Sequence, residues 1–442
     1  MRKKIFSIAI VFLCGSAFAQ EKLTLQKAID ITLQNNYDIQ IARLENKVAK
    51  NNAEAGNAGL LPTVYAEGGY DYSSNNTEIE LLPFNQGENV GSTKSDVDNA
   101  VTETTRGAIK VEYTLFDGFG GSYRLKQLNA INGLTMLETQ NSIENTVLST
   151  IRGYLNVAIQ QAGIEIYEDQ LNISKERLKR SENDFSYGVT NRTSVLRALV
   201  HVKNDSVALR KTKLKYRTAK TALNALLGRD LSTDFEVEEQ VQFLNMMSKA
   251  KLEKAVEQNN TLLKMAEQGL SVSFNNLQVI KSQRLPKLFV NGGYNYLDQE
   301  NEAGLLKEQN QKGWNLGVGV RFNIFDGNRV KRGMQNAKIE IQQNELRVQD
   351  SKQQVLALFN NTYDEYVQAK KDLRIDNTNL ETFEQSFTRC LIDYQNGQIS
   401  STDLREAQLD LSTAKLRIVY SSFTVKQKEA ELLKLSGLML HK

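Results

Sequence analysis

The 442-residue chain holds only three prolines, Pro62, Pro83 and Pro286, where average usage near 5% would supply roughly 22. A chain so poor in helix breakers is built for very long helices. Its 55 Lys and Arg nearly balance its 52 Asp and Glu, and it has two histidines, so nucleic acid loses its electrostatic argument and metal sites or histidine triads lack parts.

Residues 1–19 have the form of a secretory signal: Arg2, Lys3 and Lys4, an apolar Ile5–Leu13, then Ala17-Phe18-Ala19 before Gln20. The expected mature chain is therefore exported. Cys14 leaves with the signal, and Phe12-Leu13 before it lacks the small residue of a lipoprotein box. The signal also carries three of the 55 basic residues, which leaves 52 against 52 acidic ones. Cys390 then stands alone inside a helical repeat, so no intrachain disulfide is expected. No stretch approaches the ~20 apolar residues of a membrane-spanning helix. Any passage through a membrane would be made by strands.

Residues 20–62 predict a helix, capped at Thr24 and stopped by Gly56, Gly59 and Pro62. From Thr63 the period changes to two, with Val64, Ala66, Gly68, Tyr70 and Tyr72 on one face and Thr63, Tyr65, Glu67, Gly69 and Asp71 on the other. A polar stretch at 74–106 reads as a long loop. A second alternation follows, with Ile109, Val111, Tyr113 and Leu115 opposite Lys110, Glu112 and Thr114, so that 63–116 forms an antiparallel hairpin. After Asp117-Gly118 the helical period runs unbroken to Gly188, about 100 Å at ~1.5 Å per residue. A turn at Gly188 to Thr193 returns the chain from Ser194 to Leu227, completing 117–228 as a helical hairpin.

Residues 229–250, with Phe235, Val237 and Val241 alternating, link to a second copy of the same plan. A helix occupies 251–285 and a strand pair 286–325, with Leu288, Val290, Gly292, Tyr294 and Tyr296 on one face of the first strand. A polar loop is expected near 298–312, and the next strand places Trp314, Leu316, Val318, Val320, Phe322 and Ile324 on one face. A long helical hairpin fills 326–442. The two copies are related by explicit shifts. At 209, Phe116-Asp117-Gly118 becomes Phe325-Asp326-Gly327, Phe185-x-x-Gly188 becomes Tyr394-x-x-Gly397, and Gly228 becomes Gly437. At 224, Asn35, Asn36, Pro62 and Tyr72 become Asn259, Asn260, Pro286 and Tyr296. The chain is a tandem duplication of one long unit.

Four strands of about ten residues can each cross a bilayer at a tilt, but they cannot close a barrel, and open edges are not tolerated in lipid. The chain must therefore oligomerise. Two copies give eight strands with a filled interior, and three give twelve with room for a lumen; the glycines and polar residues of the second face favour three. Tyr72, Tyr296 and Trp314 have the positions of interfacial aromatics.

The signal, the order helix, Leu-Pro, two strands, Phe-Asp-Gly, helix, and the Tyr-x-x-Gly turn, all but the first doubled, resemble the TolC family of outer-membrane efflux proteins. The resemblance spans the whole expected mature chain. It implies a mainly α fold with a membrane β-barrel: a homotrimer, in outer-membrane lipid of a Gram-negative bacterium, joining a twelve-stranded barrel to a twelve-helix periplasmic tunnel. It further implies docking through a periplasmic adaptor to an inner-membrane pump of the RND, ABC or MFS type, with no cofactor. Gly188 and Gly397 would lie at the periplasmic tip, where an adaptor docks and where each glycine permits a tight turn. Asp403 and Glu406, one helical turn apart, match acidic positions of the family at the entrance, and three copies would ring it with six carboxylates. Tyr394 matches a position that tethers the closed tip. Ile399 stands where a basic tether is common, and Ser194 where the first repeat can carry an acid.

An enzyme finds little support: His201 and His441 lie apart, and Gly118-Phe119-Gly120 lacks the third glycine of a dinucleotide loop, Tyr123 standing there. A trimeric coiled-coil surface stalk or adhesin would gather its strands at one end of the sequence. A periplasmic adaptor would want a compact β-domain. Here the hairpins are interleaved with helices, which favours a tunnel.

Overall fold

The computed structural model describes residues 21–81, 93–238, 242–304 and 306–440. The expected signal with Cys14, and also Pro83, Val241 and His441, lie outside the described residues. In chain order the elements are β1 (Glu21–Leu23), α1 (Leu25–Asn35), α2 (Tyr37–Asn52), β2 (Thr63–Leu81), β3 (Thr93–Phe116), α3 (Gly120–Ser186), α4 (Arg192–Leu226), β4 (Phe235–Val237), α5 (Lys249–Asn259), α6 (Thr261–Ser282), β5 (Lys287–Asn301), β6 (Glu308–Arg321), α7 (Arg329–Gln395) and α8 (Ser401–Leu435). The duplication is visible in the lengths: α3 and α7 have 67 residues each, α4 and α8 have 35 each. The chain divides into two compact units. One holds residues 1–44, 137–264 and 350–442; the other holds 45–136 and 265–349.

The first unit packs helices around two apolar clusters. One gathers Leu23, Val147, Ile151, Tyr154, Leu223, Leu227 and Phe235; the other gathers Leu252, Val256, Phe359, Tyr366, Leu432 and Leu435. Strands β1 and β4 pair in parallel, Leu23 opposite Val237, which the alternation at Phe235 and Val237 alone does not reveal. The Tyr154 hydroxyl sits 2.9 Å from the Leu23 carbonyl and accepts from the Glu238 N–H at 3.0 Å, tying the strand pair to α3.

The helices expected over 20–62 and 251–285 are each broken in two. At Asn36 and Asn260 the backbone turns extended, with ψ of 130° and 126°. Both asparagines do the same work. Asn36 Nδ2 donates to the Leu226 carbonyl and Asn260 Nδ2 to the Leu435 carbonyl, each at 2.8 Å. Those carbonyls end α4 and α8, where they have no helical partner. Gly228 and Gly437 follow with φ of 63° and 67°, and a Cβ on either would collide with the carbonyl oxygen of Asn35 or Asn259. Asparagine and glycine were thus duplicated together as a single junction.

In the second unit β2, β3, β5 and β6 form one antiparallel sheet in that order. The register aligns the expected apolar faces: Val64 lies opposite Val111, Val111 opposite Gly292, and Gly292 opposite Leu316. The opposite face is polar, with ion pairs Lys110–Glu67 and Arg106–Asp71, and with Tyr65 donating to Glu112 at 2.9 Å. At the strand ends the Phe-Asp-Gly motif turns the chain into helix. Asp117 Oδ2 accepts from the Gly121 N–H at 2.6 Å and Asp326 Oδ2 from the Val330 N–H at 3.0 Å, while Gly118 and Gly327 both take φ of 70°.

The polar stretches expected as loops at 74–106 and 298–312 are mostly strand. Strand β2 runs to Leu81, β3 starts at Thr93, β5 runs to Asn301 and β6 starts at Glu308. Past Thr102 the β2–β3 ribbon continues beside no third strand among the described residues, so it needs no apolar face and its composition hides it; backbone pairing and Lys94–Glu78 at 3.1 Å hold it. The last strand ends sooner than expected, at Arg321, which leaves Phe322 and Ile324 outside it.

Candidate functional site

Two features are placed by this scaffold: the apolar face of the sheet, and the pair of helical turns at Gly188 and Gly397. On the sheet, Leu316, Val318 and Val320 are each 68% exposed and Trp314 is 80% exposed. Their side chains stand on the exposed side of the sheet. Tyr72, Tyr296 and Trp314 all lie on this face: Trp314 opposite Tyr294, Tyr296 opposite Lys312, whose ammonium sits 5.3 Å from the ring centre, and Tyr72 opposite Glu103. Strands β2 and β3 continue beyond Tyr72 rather than ending in a loop there. Both outer strands, β2 and β6, have one unpaired edge within the sheet.

The two turns belong to the first unit and close identically. The Gly188 N–H reaches the Phe185 carbonyl at 3.1 Å and the Val189 N–H reaches that of Asp184 at 2.8 Å. The Gly397 and Gln398 N–H groups repeat this with Tyr394 and Asp393, at 3.1 and 2.8 Å. This is the helix-ending double bond that needs a left-handed residue, and Gly188 and Gly397 supply φ of 73° and 75°.

Helix α8 then opens on a capping box. Ser400 Oγ accepts from the Asp403 N–H, and Asp403 Oδ2 accepts from the Ser400 N–H at 3.0 Å. Hydrogen bonds from the Ser400 side chain and backbone hold the Asp403 carboxyl below its ordinary value, so it is charged at neutral pH. Asp403 and Glu406 are both exposed on one side of α8. Asp403 therefore has a structural task whether or not it also serves a conduit.

Tyr394 is gripped by α3: the Arg180 guanidinium lies 4.5 Å from its ring centre and donates to the Gln395 carbonyl at 3.1 Å. Arg177, one turn earlier, donates to the Ser401 carbonyl at 3.2 Å. Cations of the first repeat thus hold both ends of the second turn. Ile399 is half-buried and Ser194 bonds locally, donating its N–H to Asn191 Oδ1 at 3.0 Å.

Behind this turn lies a network that sequence reasoning missed. Arg405 of α8 makes a bidentate pair with Asp205 of α4, Nη1 to Oδ2 at 2.8 Å and Nη2 to Oδ1 at 2.7 Å. Gln170 and Ser174 of α3 donate to the same carboxylate at 2.7 and 2.5 Å, and Gln408 donates to the Gln170 carbonyl at 2.8 Å. Asp205, Arg405, Arg177, Ser174, Gln170 and Gln408 are all buried. Burial pushes the Asp205 carboxyl up, but the bonds from Arg405, Ser174 and Gln170 outweigh it and bring it below its ordinary value. Burial, with the charge of Arg405, lowers Arg177 to about 10, so it too stays charged at neutral pH. Burial and then the two arginine charges also hold His201 below its ordinary value. The one sequence signal of this network is a broken symmetry: at the shift of 209, Asp205 and Arg405 correspond to Ala414 and Leu196.

Residues 28–229 and 252–438 match the outer membrane efflux protein family. No curated protein matches the sequence. Among solved structures, the chain is similar to the CmeC outer membrane channel of Campylobacter jejuni, with a TM-score of 0.76 and 14% identity, over 94% of this chain and 86% of that one. It is similar to the outer membrane protein VceC of Vibrio cholerae, with 0.73 and 15%, over 93% and 96%. A third likeness is to the MtrE outer membrane channel of Neisseria gonorrhoeae in its open state, with 0.70 and 16%, over 94% and 89%. The chain belongs to the outer membrane efflux protein family and is a TolC-like efflux channel of the outer membrane, not an enzyme.

Proposed function

We propose that this chain is the exit duct of a tripartite efflux or type I secretion system, carrying small molecules or proteins from an inner-membrane pump to the exterior. One observation carries the reading. A four-stranded sheet exposes an apolar face and leaves both outer edges unpaired, and lipid tolerates neither a lone sheet nor an open edge. Three copies joined edge to edge close twelve strands around a lumen lined by the polar face; two copies would close eight, which side chains fill. The exposed stripe Leu196, Val200, Val207 and Leu214 on α4 supports a matching apolar seam between copies.

In this assembly Tyr72, Tyr296 and Trp314 face lipid, and the helices extend into the periplasm. The turns at Gly188 and Gly397 form the tip that a periplasmic adaptor meets, and the pump behind it is of the RND, ABC or MFS type. Asp403 and Glu406 of three copies ring the entrance with six carboxylates, which favours cations. Opening is an untwisting of the helices at the tip that widens the ring.

The test is mass and current together. Protein extracted from outer membranes is expected to give three chains per particle and to produce discrete single-channel steps in a planar bilayer. A monomer, or an inserted trimer that never conducts under any voltage, would contradict the duct.

A further inference from the structure

The network joining α3, α4 and α8 occurs at one junction of the duplicated chain and is absent by sequence from its counterpart. Besides Ala414 for Asp205 and Leu196 for Arg405, the shift of 209 puts Phe383 for Ser174 and Ser386 for Arg177. Helix packing of this kind evidently does without a buried ion pair in one copy. Such a pair is also weak evidence for stability, since apolar residues of similar volume often do as well. Its distinctive property is geometric. A bidentate arginine–carboxylate fork has one preferred plane and direction, so it fixes how α8 is turned about its own axis.

That rotation matters because of what α8 carries. At about 100° per residue, Asp403 and Glu406 stand ~60° apart on the exposed side. Leu404, Arg405 and Gln408 are buried on the opposite side. The fork acts at Arg405, between the two acidic residues in sequence and behind them in space. Axial position is held as well, by Arg177 on the Ser401 carbonyl at 3.2 Å and by Gln408 on the Gln170 carbonyl at 2.8 Å.

We propose that Asp205 and Arg405 are positioning residues for the channel entrance: their clamp sets the azimuth of α8 and so directs the carboxylates at 403 and 406 into the conduit. This rests on the reading of that face of α8 as the lumen entrance. The counterpart junction has no such fork, Leu196 and Ala414 standing at the equivalent positions, so the first turns of α4 carry no matching clamp.

The test uses the full-length protein with Cys390→Ser and Glu406→Cys, reconstituted in planar bilayers, and follows block of the current by a charged, water-soluble methanethiosulfonate. Adding Asp205→Asn with Arg405→Gln, which removes both buried charges together, is expected to slow block about tenfold, equivalent to ~1.4 kcal/mol in the orientation of α8. Exchanging the charges, Asp205→Arg with Arg405→Asp, is expected to restore part of the rate. Arg405→Lys, which keeps the charge but loses the fork, reads the same rate should the neutral pair not assemble, and is expected to be slowed. Equal rates with and without the clamp, in channels that insert and conduct, would overturn the proposal. No block with the clamp intact would overturn instead the reading of position 406 as lumen-facing.

Discussion

At the scale of single residues, the duplicated glycines divide into two kinds that the sequence does not distinguish. Gly188 and Gly397 need left-handed backbone, but a side chain there would meet open space. Gly228 and Gly437 need the same backbone and also lie against the carbonyls of Asn35 and Asn259. Alanine at Gly188 is therefore expected to cost only the ~1–2 kcal/mol of a left-handed residue. Alanine at Gly228 adds a collision with backbone and is expected to cost clearly more, read as the larger fall in the midpoint of thermal unfolding. Equal falls would remove the collision from the account. The clamp is the other residue-scale prediction. Asp205→Asn leaves Arg405 buried and charged without its partner, a loss of roughly 3–5 kcal/mol by precedent. Because the folded carboxyl lies below its ordinary value of 3.8, its stabilisation is fully present above that value and is lost as pH falls through the lower folded one. Wild type is expected to hold the clamp unchanged from pH 8 to pH 5, and Asp205→Asn to lose stability equally at both. A wild-type midpoint that dropped between pH 8 and pH 5 only while Asp205 was present would contradict this.

At the scale of elements, most of the fold is legible because its signals are long. A helical apolar period sustained over 67 residues without proline reads as a helix, and the alternation Val64-x-Ala66-x-Gly68-x-Tyr70 reads as a strand with one apolar face. What escaped the sequence escaped for local reasons. Asn36 and Asn260 are poor helix formers rather than helix breakers, and their role depends on carbonyls about 190 and 175 positions away in the chain. The outer part of the β2–β3 ribbon lacks apolar alternation because neither face is covered. The clamp is assembled from three helices, and no spacing within any one of them announces it. Only the comparison of the two repeats does. The sheet supplies the element-scale prediction. Leu316→Arg, on the exposed apolar face beside Gly292, is expected to cost ~2–4 kcal/mol if that position lies near the bilayer midplane, and to reduce recovery from outer membranes. Asn315→Arg, one residue away on the polar face, should be recovered at close to wild-type levels. Equal recovery of the two variants would mean that the apolar face does not meet lipid.

At the scale of the whole molecule, a duplicated chain with four exposed strands and two long helical hairpins is half-finished as a monomer. The sheet lacks closure at β2 and β6, and α4 exposes an apolar stripe; both needs are met by further copies of the same chain. In the assembly we propose, the acidic pair on α8 is multiplied into a ring at the entrance of the conduit. The most direct measurement is the reversal potential of single channels under a salt gradient, for wild type against Asp403→Asn with Glu406→Gln. A cation-selective wild type whose selectivity falls in the double variant, at unchanged insertion, is the expected result. Channels that conduct with the same selectivity in both would keep the duct and contradict an acidic entrance at Asp403 and Glu406.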